Sequence, residues 1–389
     1  HKIIKMERQK NITLFFEFFD HEHLGKDPFM VPYYLGKALG YTVNIVYPLT
    51  ESNRDLPSEI KGIRLIPLAV NSSESSNTGR NFVHAMYQDI WKHAKEIDVL
   101  MRFFDVDISR KAAFLYKLRN PHGKVYVKMD VNPYNINDNV ASFPFNMIRG
   151  LKGKLLKSCV DVISCETQLA LQKLNASPNS YNHWGKKMVY LPNGFDEALL
   201  ESLHIKEKSY AEKENIMLTV GRLGTPPKNT QMLLKALAMA DLKDWKFYLV
   251  GPIEPSLQSD IDSFYQQNPD KKDSVIFTGA IYDKKELWEY YNRSKVFVLT
   301  SKWEGFALVY TEAQRFTNYI MSTRVGAASD VIQDGKYGDF IPQEDYEALA
   351  HKLNDIINGK VNINVYDGFD VKSLSWEARL KVIADKLKS

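Results

Sequence analysis

At 389 residues, with 44% hydrophobic and 25% charged residues, the chain is too long for one hydrophobic core and too apolar to be disordered, so two globular domains are expected. Its two cysteines, Cys159 and Cys165, exclude a disulfide framework and lack zinc spacing, and they read as buried thiols in a reducing compartment. The net charge of +4 hides an asymmetry: residues 1–195 hold 26 Lys+Arg against 18 Asp+Glu, whereas residues 196–389 hold 25 against 29.

A basic half suits an anionic partner such as a membrane surface, a lipid-linked acceptor or nucleic acid, although drift of surface charge gives the same imbalance. No run approaches the roughly 18 apolar residues that cross a bilayer, and no signal-peptide pattern is present.

In chain order, strands are expected at Ile12–Phe16, Thr42–Tyr47, Ile63–Leu68, Val99–Phe103, Lys124–Met129, Asp161–Ser164 and Met188–Leu191. Helices fall between them around Pro28–Leu39, Asn81–Lys95 and Ser109–Leu118. Short strands interleaved with helices predict a parallel sheet wound on both faces. Asn193–Asn215 is polar and suits an exposed linker between domains. The alternation then resumes, with strands at Ile216–Val220, Lys246–Val250, Ser274–Thr278, Val296–Thr300 and Tyr319–Ser322. Helices are expected at Gln231–Ala240, Ser256–Gln267, Lys284–Arg293, about Leu308–Arg315, Asp345–Asn358 and Trp376–Leu387. Ligands of such sheets bind outside the strands' carboxyl ends, which makes a cleft between the two domains the expected site.

Two loops in the second half carry chemistry. After Ile216–Val220 comes Gly221-Arg222-Leu223-Gly224-Thr225-Pro226-Pro227-Lys228-Asn229, a tight turn with two cations at a strand end. It is either a diphosphate-binding loop, with Arg222 gripping oxygens bidentately and Lys228 acting as a point charge, or a solvated basic loop. The GKS/GKT signature of phosphate-loop nucleotidases is absent. After Val296–Thr300 comes Ser301-Lys302-Trp303-Glu304-Gly305-Phe306, with Glu312 eight residues beyond Glu304. On one continuous helix the two carboxylates would lie about 80° apart in azimuth and about 12 Å apart along the axis. Glycosidase acid/base pairs need roughly 5–9.5 Å, so that reading fits poorly. The spacing instead predicts Glu304 in a loop at the sheet edge and Glu312 one to two turns into the helix. The N–H groups of Gly305, Phe306, Ala307 and Leu308 then form an anion site at the helix start.

The second half resembles the donor domain of glycosyltransferase family 4, a group of retaining enzymes with the GT-B fold. The likeness rests on V-G-R at 220–222 with K-N at 228–229, L-V-G at 249–251, F-T-G at 277–279, V-F-V-L-T-S-K-W-E-G-F at 296–306, E-A at 312–313 and D-V-I-Q-D-G at 330–335. Glu304 and Glu312 carry that family's E-x7-E motif. The resemblance implies an α/β GT-B fold with two Rossmann-like domains facing a central cleft. An acceptor domain over residues 1–194 would be rejoined by a C-terminal helix at about 370–389, and a donor domain would span 195–369. It implies Glu312 on the ribose hydroxyls, Glu304 on the transferred sugar, and Arg222 and Lys228 on the diphosphate beside Gly221. Backbone at Gly279, Ala280 and Ile281 would meet the base.

The first half fits less closely. Leu191-Pro192-Asn193-Gly194-Phe195-Asp196 is similar to the family's junction motif, which brings Asn193 toward the donor. His23-Leu24-Gly25-Lys26-Asp27 stands where the family carries a Gly-Gly turn against the donor phosphates; Gly25 matches and Lys26 replaces the second glycine. Asp130, in V-K-M-D-V-N-P, occupies the place of a histidine that many members hold near the reacting sugar.

Other features read less specifically. Asp20-His21-Glu22-His23 is a metal-ligand composition, but its residues are too close in sequence to converge on one ion, so an acceptor-contacting loop is the better alternative. Ile148–Lys157 is basic and amphipathic, either a membrane-surface segment or a solvated helix packing Ile148, Leu151 and Leu155 onto the sheet. Tyr33 and Tyr34, like Tyr290 and Tyr291, read as core and rim residues.

The expected activity is retaining hexosyl transfer from a nucleotide-diphosphate sugar, UDP- ahead of GDP-, to a glycan, lipid-linked or protein-linked hydroxyl in bacterial polysaccharide or glycoconjugate synthesis. No metal or cofactor is expected, and no nucleic-acid partner. The location is expected to be cytoplasmic, with peripheral contact on the inner face of the membrane. Rival readings are a non-catalytic GT-B subunit that binds a glycan or partner enzyme, a sugar-nucleotide epimerase, and a phosphorylase.

Overall fold

A computed structural model describes residues 7–70 and 78–389. The chain divides into two compact units, His1–Asn193 with Trp376–Ser389, and Gly194–Ser375. Through the first unit run β1 (Asn11–Phe15), α1 (Asp27–Leu39), β2 (Thr42–Pro48), β3 (Glu59–Ile60), β4 (Ile63–Leu68), α2 (Thr78–His93), β5 (Val99–Phe103), α3 (Asp107–Arg119), β6 (Lys124–Lys128), α4 (Phe145–Ser158), β7 (Val162–Cys165), α5 (Gln168–Ala176) and β8 (Met188–Tyr190). The second unit holds α6 (Glu197–Ser202), β9 (Ile216–Val220), α7 (Thr230–Met239), β10 (Lys246–Val250), α8 (Gln258–Gln267), β11 (Val275–Gly279), α9 (Lys284–Arg293), β12 (Val296–Leu299), α10 (Leu308–Arg315), β13 (Tyr319–Ser322), α11 (Ala328–Ile332), β14 (Gly338–Phe340) and α12 (Tyr346–Ile357). The last helix, α13 (Trp376–Lys388), belongs to the first unit.

The first sheet has the order β3-β4-β2-β1-β5-β6-β7-β8, parallel except where β3 pairs antiparallel with β4. All five residues of β5 are buried, as a strand covered on both faces requires. α1 starts with Pro28 in its first turn and stops at Gly40, whose φ of 71° closes the helix in the left-handed region. α13 places Leu380, Ile383, Ala384 and Leu387 on one face, in the same core as Val31 and Leu35 of α1. The second sheet, β11-β10-β9-β12-β13-β14, is parallel throughout. Its order reverses at β9, where the chain leaves for β10 on one side and later returns as β12 on the other. Such a reversal opens a crevice at the strands' carboxyl ends.

Two expectations are corrected. Asn193–Asn215 begins at the boundary between the units and is exposed in part, but it is not a free linker. α6 forms within it, and Glu197 and Glu207 both pair with the buried Arg315. Lys213, also buried, donates to the carbonyls of Tyr291, Asn292 and Ser294 at 3.3, 2.8 and 3.0 Å, and desolvation pulls its pKa down to about 7. Three of the charges that suggested a linker, on Glu197, Glu207 and Lys213, are thus ties to the second unit, while Glu201, Lys206, Glu212 and Glu214 stay exposed. Ile148, Leu151 and Leu155 do not pack onto the sheet; α4 turns Gly153 and Leu156 inward and leaves those three exposed. β3 and β14 were not anticipated, because two- and three-residue edge strands carry too little periodicity to read. Cys159 and Cys165 are free and buried, as expected.

Candidate functional site

In the C-terminal unit, the β9–α7 and β12–α10 loops meet at the reversal point. The Thr300 hydroxyl donates to the carbonyls of Lys228 and Asn229, both at 3.1 Å, and the Lys302 N–H donates to the Pro227 carbonyl at 2.7 Å. These bonds set Lys228 and Glu304 side by side as an ion pair, and the Ser301 hydroxyl donates to the same carboxylate at 2.7 Å. Gly221 makes room for the lysine stem, since a Cβ there would stand 3.1 Å from Lys228 Cε. Gly326 does the same for the glutamate's loop: its φ is 50°, and a Cβ would fall 2.6 Å from the Gly305 carbonyl oxygen. Arg222 is exposed and has no side-chain partner among the described residues.

Glu304 lies in the loop and Glu312 on the second turn of α10, as the spacing predicts. The buried Phe306 anchors the segment between them, and its carbonyl accepts the Ala327 N–H at 3.1 Å. Among the described residues, the N–H groups of Gly305, Phe306, Ala307, Leu308 and Val309 make no intramolecular hydrogen bond. They give the start of α10 an unfilled set of donors. Glu312 accepts from the Trp288 indole N–H at 3.1 Å and pairs with Lys284 at 3.5 Å. Trp288 packs on Phe195, ring centroids 4.7 Å apart, so the junction motif supports α9 and, through it, Glu312. Gly279 closes β11 at φ 76°; Ala280 is exposed and Ile281 half-buried.

The N-terminal unit gathers a second group of charges at the ends of β6 and β7. Lys128, fully buried, pairs with Glu166 and, at 2.9 Å, with Asp27 at the start of α1. Burial pushes the Glu166 carboxyl up to about 7 against the pull of Lys128, with Asp130 and Asp27 adding repulsion. Asp130 has an open surface, yet desolvation raises its pKa as well. Gly25 and Lys26 are exposed at the mouth of α1, where Lys26 pairs with Glu22 at 3.3 Å. Asn193 is buried, and its carbonyl accepts from Arg379 of α13. The metal-like run is spent locally: Asp20 caps the turn His21–His23 and accepts from Ser52 at 2.5 Å, while His21 meets Asp55 at 2.7 Å. A cavity of about 1240 Å³ opens beyond β5 and β6, lined by Asp105, Asp107, Met129, Val131, Arg149 and Tyr181.

With this geometry in place, comparison with known proteins gives a family model on the second unit and a structural likeness over both units. Residues 202–366 match the family model for glycosyl transferases group 1. An α-1,4-N-acetyl-D-galactosaminyltransferase of Campylobacter jejuni, which acts on a GalNAc-containing diNAcBac-PP-undecaprenol, is 32% identical over 49% of this chain and 50% of its own. The capsular polysaccharide biosynthesis glycosyltransferase CapM of Staphylococcus aureus is 26% identical over 42% of this chain and 43% of its own. The chain spans about half the length of the curated relatives it matches. The lipopolysaccharide outer core galactosyltransferase WaaB is similar in structure over 97% of this chain and 99% of its own, with a TM-score of 0.66 and 15% identity. The fold is accordingly α/β of the GT-B type, with two Rossmann-like units.

Gly221, Arg222, Lys228, Gly279, Glu304 and Gly305 lie at or just beyond the carboxyl ends of β9, β11 and β12 in the second unit, and Glu312 follows on α10. Gly25, Lys26, Asp130 and Asn193 belong to the other unit. Sequence reasoning missed Ser301, Trp288, Lys284 and Gly326 around the two glutamates, and Lys128 and Glu166 beside Asp130. Lys128 carried a readable signal, a lysine inside an otherwise apolar strand, V-Y-V-K-M. Trp288 and Gly326 carried none, because only folding brings them to the glutamates.

Proposed function

We propose that the chain is a retaining glycosyltransferase that moves a hexose-type sugar from a nucleotide-diphosphate sugar, UDP- in preference to GDP-, to a hydroxyl acceptor. The observation that carries the reading is the junction of two loops at one sheet edge, where Lys228 pairs with Glu304, Arg222 lies free on the Lys228 loop, and the unfilled amides of the α10 start precede Glu312. The C-terminal unit takes the donor and the N-terminal unit the acceptor. Glu312, braced by Trp288, accepts from the ribose hydroxyls, and backbone around Gly279–Ile281 meets the base. Arg222, Lys228 and the amides hold the diphosphate.

The reaction proceeds on one face of the sugar. The acceptor oxygen forms its bond to the anomeric carbon as the bond to the diphosphate oxygen breaks, and a leaving phosphate oxygen takes the acceptor's proton. Lys228, Arg222 and the amides stabilise the negative charge growing on the diphosphate. Glu304 positions the sugar. Charge neutralisation by these side chains makes the reaction independent of metal. The relatives named above favour an acceptor in bacterial polysaccharide or glycoconjugate synthesis, and contact with the membrane is peripheral, from the cytoplasmic side.

A screen of UDP- and GDP-sugars for donor hydrolysis, run with and without EDTA, tests this reading. Turnover with at least one UDP-sugar that survives EDTA is expected. Absence of turnover and of nucleoside-diphosphate binding overturns the enzyme, and loss under EDTA overturns metal independence. A product of inverted anomeric configuration by NMR overturns the one-face mechanism.

A further inference from the structure

Among the described residues of the N-terminal unit, exposed apolar side chains cluster in the stretch Val140–Leu155. Phe143, Phe145, Ile148 and Leu151 are 75, 63, 65 and 69% exposed, and Val140, Met147 and Leu155 exceed half. Such a cluster is costly in water and marks an interaction surface. At about 100° per residue, Met147, Ile148, Leu151 and Leu155 fall within one arc of roughly 100° on α4, opposite the buried Gly153 and Leu156. Lys154 borders that arc on one side and Lys152 on the other.

The charge of the segment is of one sign. Residues 139–160 contain Arg149, Lys152, Lys154 and Lys157 and no carboxylate. Arg149, Lys152 and Lys154 are exposed and have no ion-pair partner among the described residues. Lys157 serves the fold, donating to the carbonyls of Ser180 and His183 at 2.7 and 2.8 Å. Lys187 in turn donates to the Lys157 carbonyl at 2.9 Å, fastening the end of α4. The helix is therefore held rigidly by its inner face and carboxyl end, while an apolar stripe edged with free cations points outward.

We propose that α4 and the preceding Val140–Pro144 form the surface by which this protein docks on a membrane of anionic lipids. An interfacial helix sinks its apolar side chains among the acyl chains and keeps its cations at the phosphates. Free lysines at both borders of the stripe satisfy that geometry, and the lack of any carboxylate gives charge complementarity to phosphatidylglycerol-type headgroups. Arg149 also lines the cavity beyond β5 and β6, so a docked helix sets that cavity next to the lipid surface. Docking needs no sugar nucleotide and stands whether or not the transfer reaction does.

Flotation of the full chain with phosphatidylglycerol/phosphatidylcholine vesicles, against pure phosphatidylcholine, tests the proposal without donor present. Strong partition onto the anionic vesicles, and little onto the neutral ones, is expected. Leu151→Ser with Leu155→Ser, and separately Arg149→Gln with Lys152→Gln and Lys154→Gln, should each lower partition by roughly tenfold or more at unchanged melting temperature. Raised salt should weaken wild-type binding and spare little of it. Wild-type and variant partition that agree, or no binding to anionic vesicles, overturns the proposal. So does a concentration-dependent dimer in sedimentation that the Leu151/Leu155 variant disperses, with no vesicle binding.

Discussion

Glu304 and Glu312 share a motif but not an environment. Glu304 is matched to Lys228 and Ser301, whereas Glu312 is held by an indole N–H and a distant ammonium. Glu304→Gln removes the charge that holds Lys228 and leaves that cation free for phosphate. It should lower kcat by about a hundredfold while UDP binding is unchanged or tighter, a split readable by calorimetry beside steady-state rates. Weaker UDP binding in step with the rate would place Glu304 on the nucleotide instead. Glu312→Ala removes a charged acceptor for two hydroxyls and should raise the Kd for UDP by roughly ten- to a hundredfold. Equal affinity in wild type and variant would remove the ribose role.

At the scale of elements, the E-x7-E stretch is a loop followed by a helix because backbone contacts fix where α10 begins. Phe306 is buried, and Gly326 lies against the Gly305 and Phe306 carbonyls, where a Cβ would come within 2.6 and 2.8 Å. Gly326→Ala must push the Glu304 loop away in addition to straining a positive φ, so a stability loss of about 1–3 kcal/mol and, on the proposed function, weaker UDP binding are expected. Gly335→Ala is the control, because its φ of 87° is as demanding but its Cβ would stand 3.9 Å from the Gly338 carbonyl oxygen. It should cost stability alone. Equal UDP affinity in both variants would show that the close approach does not set the loop.

At the scale of the whole molecule, the two units bury charge differently. The C-terminal unit ties its entry segment down with Arg315 and Lys213, while the N-terminal unit sinks Lys128 among Asp27 and Glu166 at the edge of its sheet. Lys128→Met leaves those carboxylates unpaired and should destabilise by about 3–5 kcal/mol in urea unfolding at neutral pH. The pH dependence has a definite sign. Glu166 binds its proton more tightly folded than unfolded, because burial lifts it from 4.5 to about 7. Its contribution is full below about pH 4.5 and is lost as pH rises through about 7. Glu166→Gln should abolish that component, so the wild type's stability advantage over the variant shrinks across this window. A difference independent of pH would show that Glu166 titrates alike in both states.

The sequence by itself determined the alternation of strands and helices, and hence the α/β class, because central parallel strands such as β5 are short apolar runs and the helices between them keep their 3.6-residue period. It also marked the two loops that meet at the carboxyl edge of the second sheet, since glycine and proline after an apolar strand signal a turn at its end. Edges and boundaries were not legible: β3 and β14 are too short for a period, and the charged Asn193–Asn215 reads as solvated until Arg315 and the carbonyls of α9 come to meet it. Only the tertiary structure decided that Trp288 braces Glu312 and that Lys128 lies among carboxylates, because those partners are far apart along the chain. It alone turned α4 with Leu156 inward. Periodicity shows that a helix has an apolar stripe, but the packing of its neighbours decides whether that stripe meets the core or the solvent.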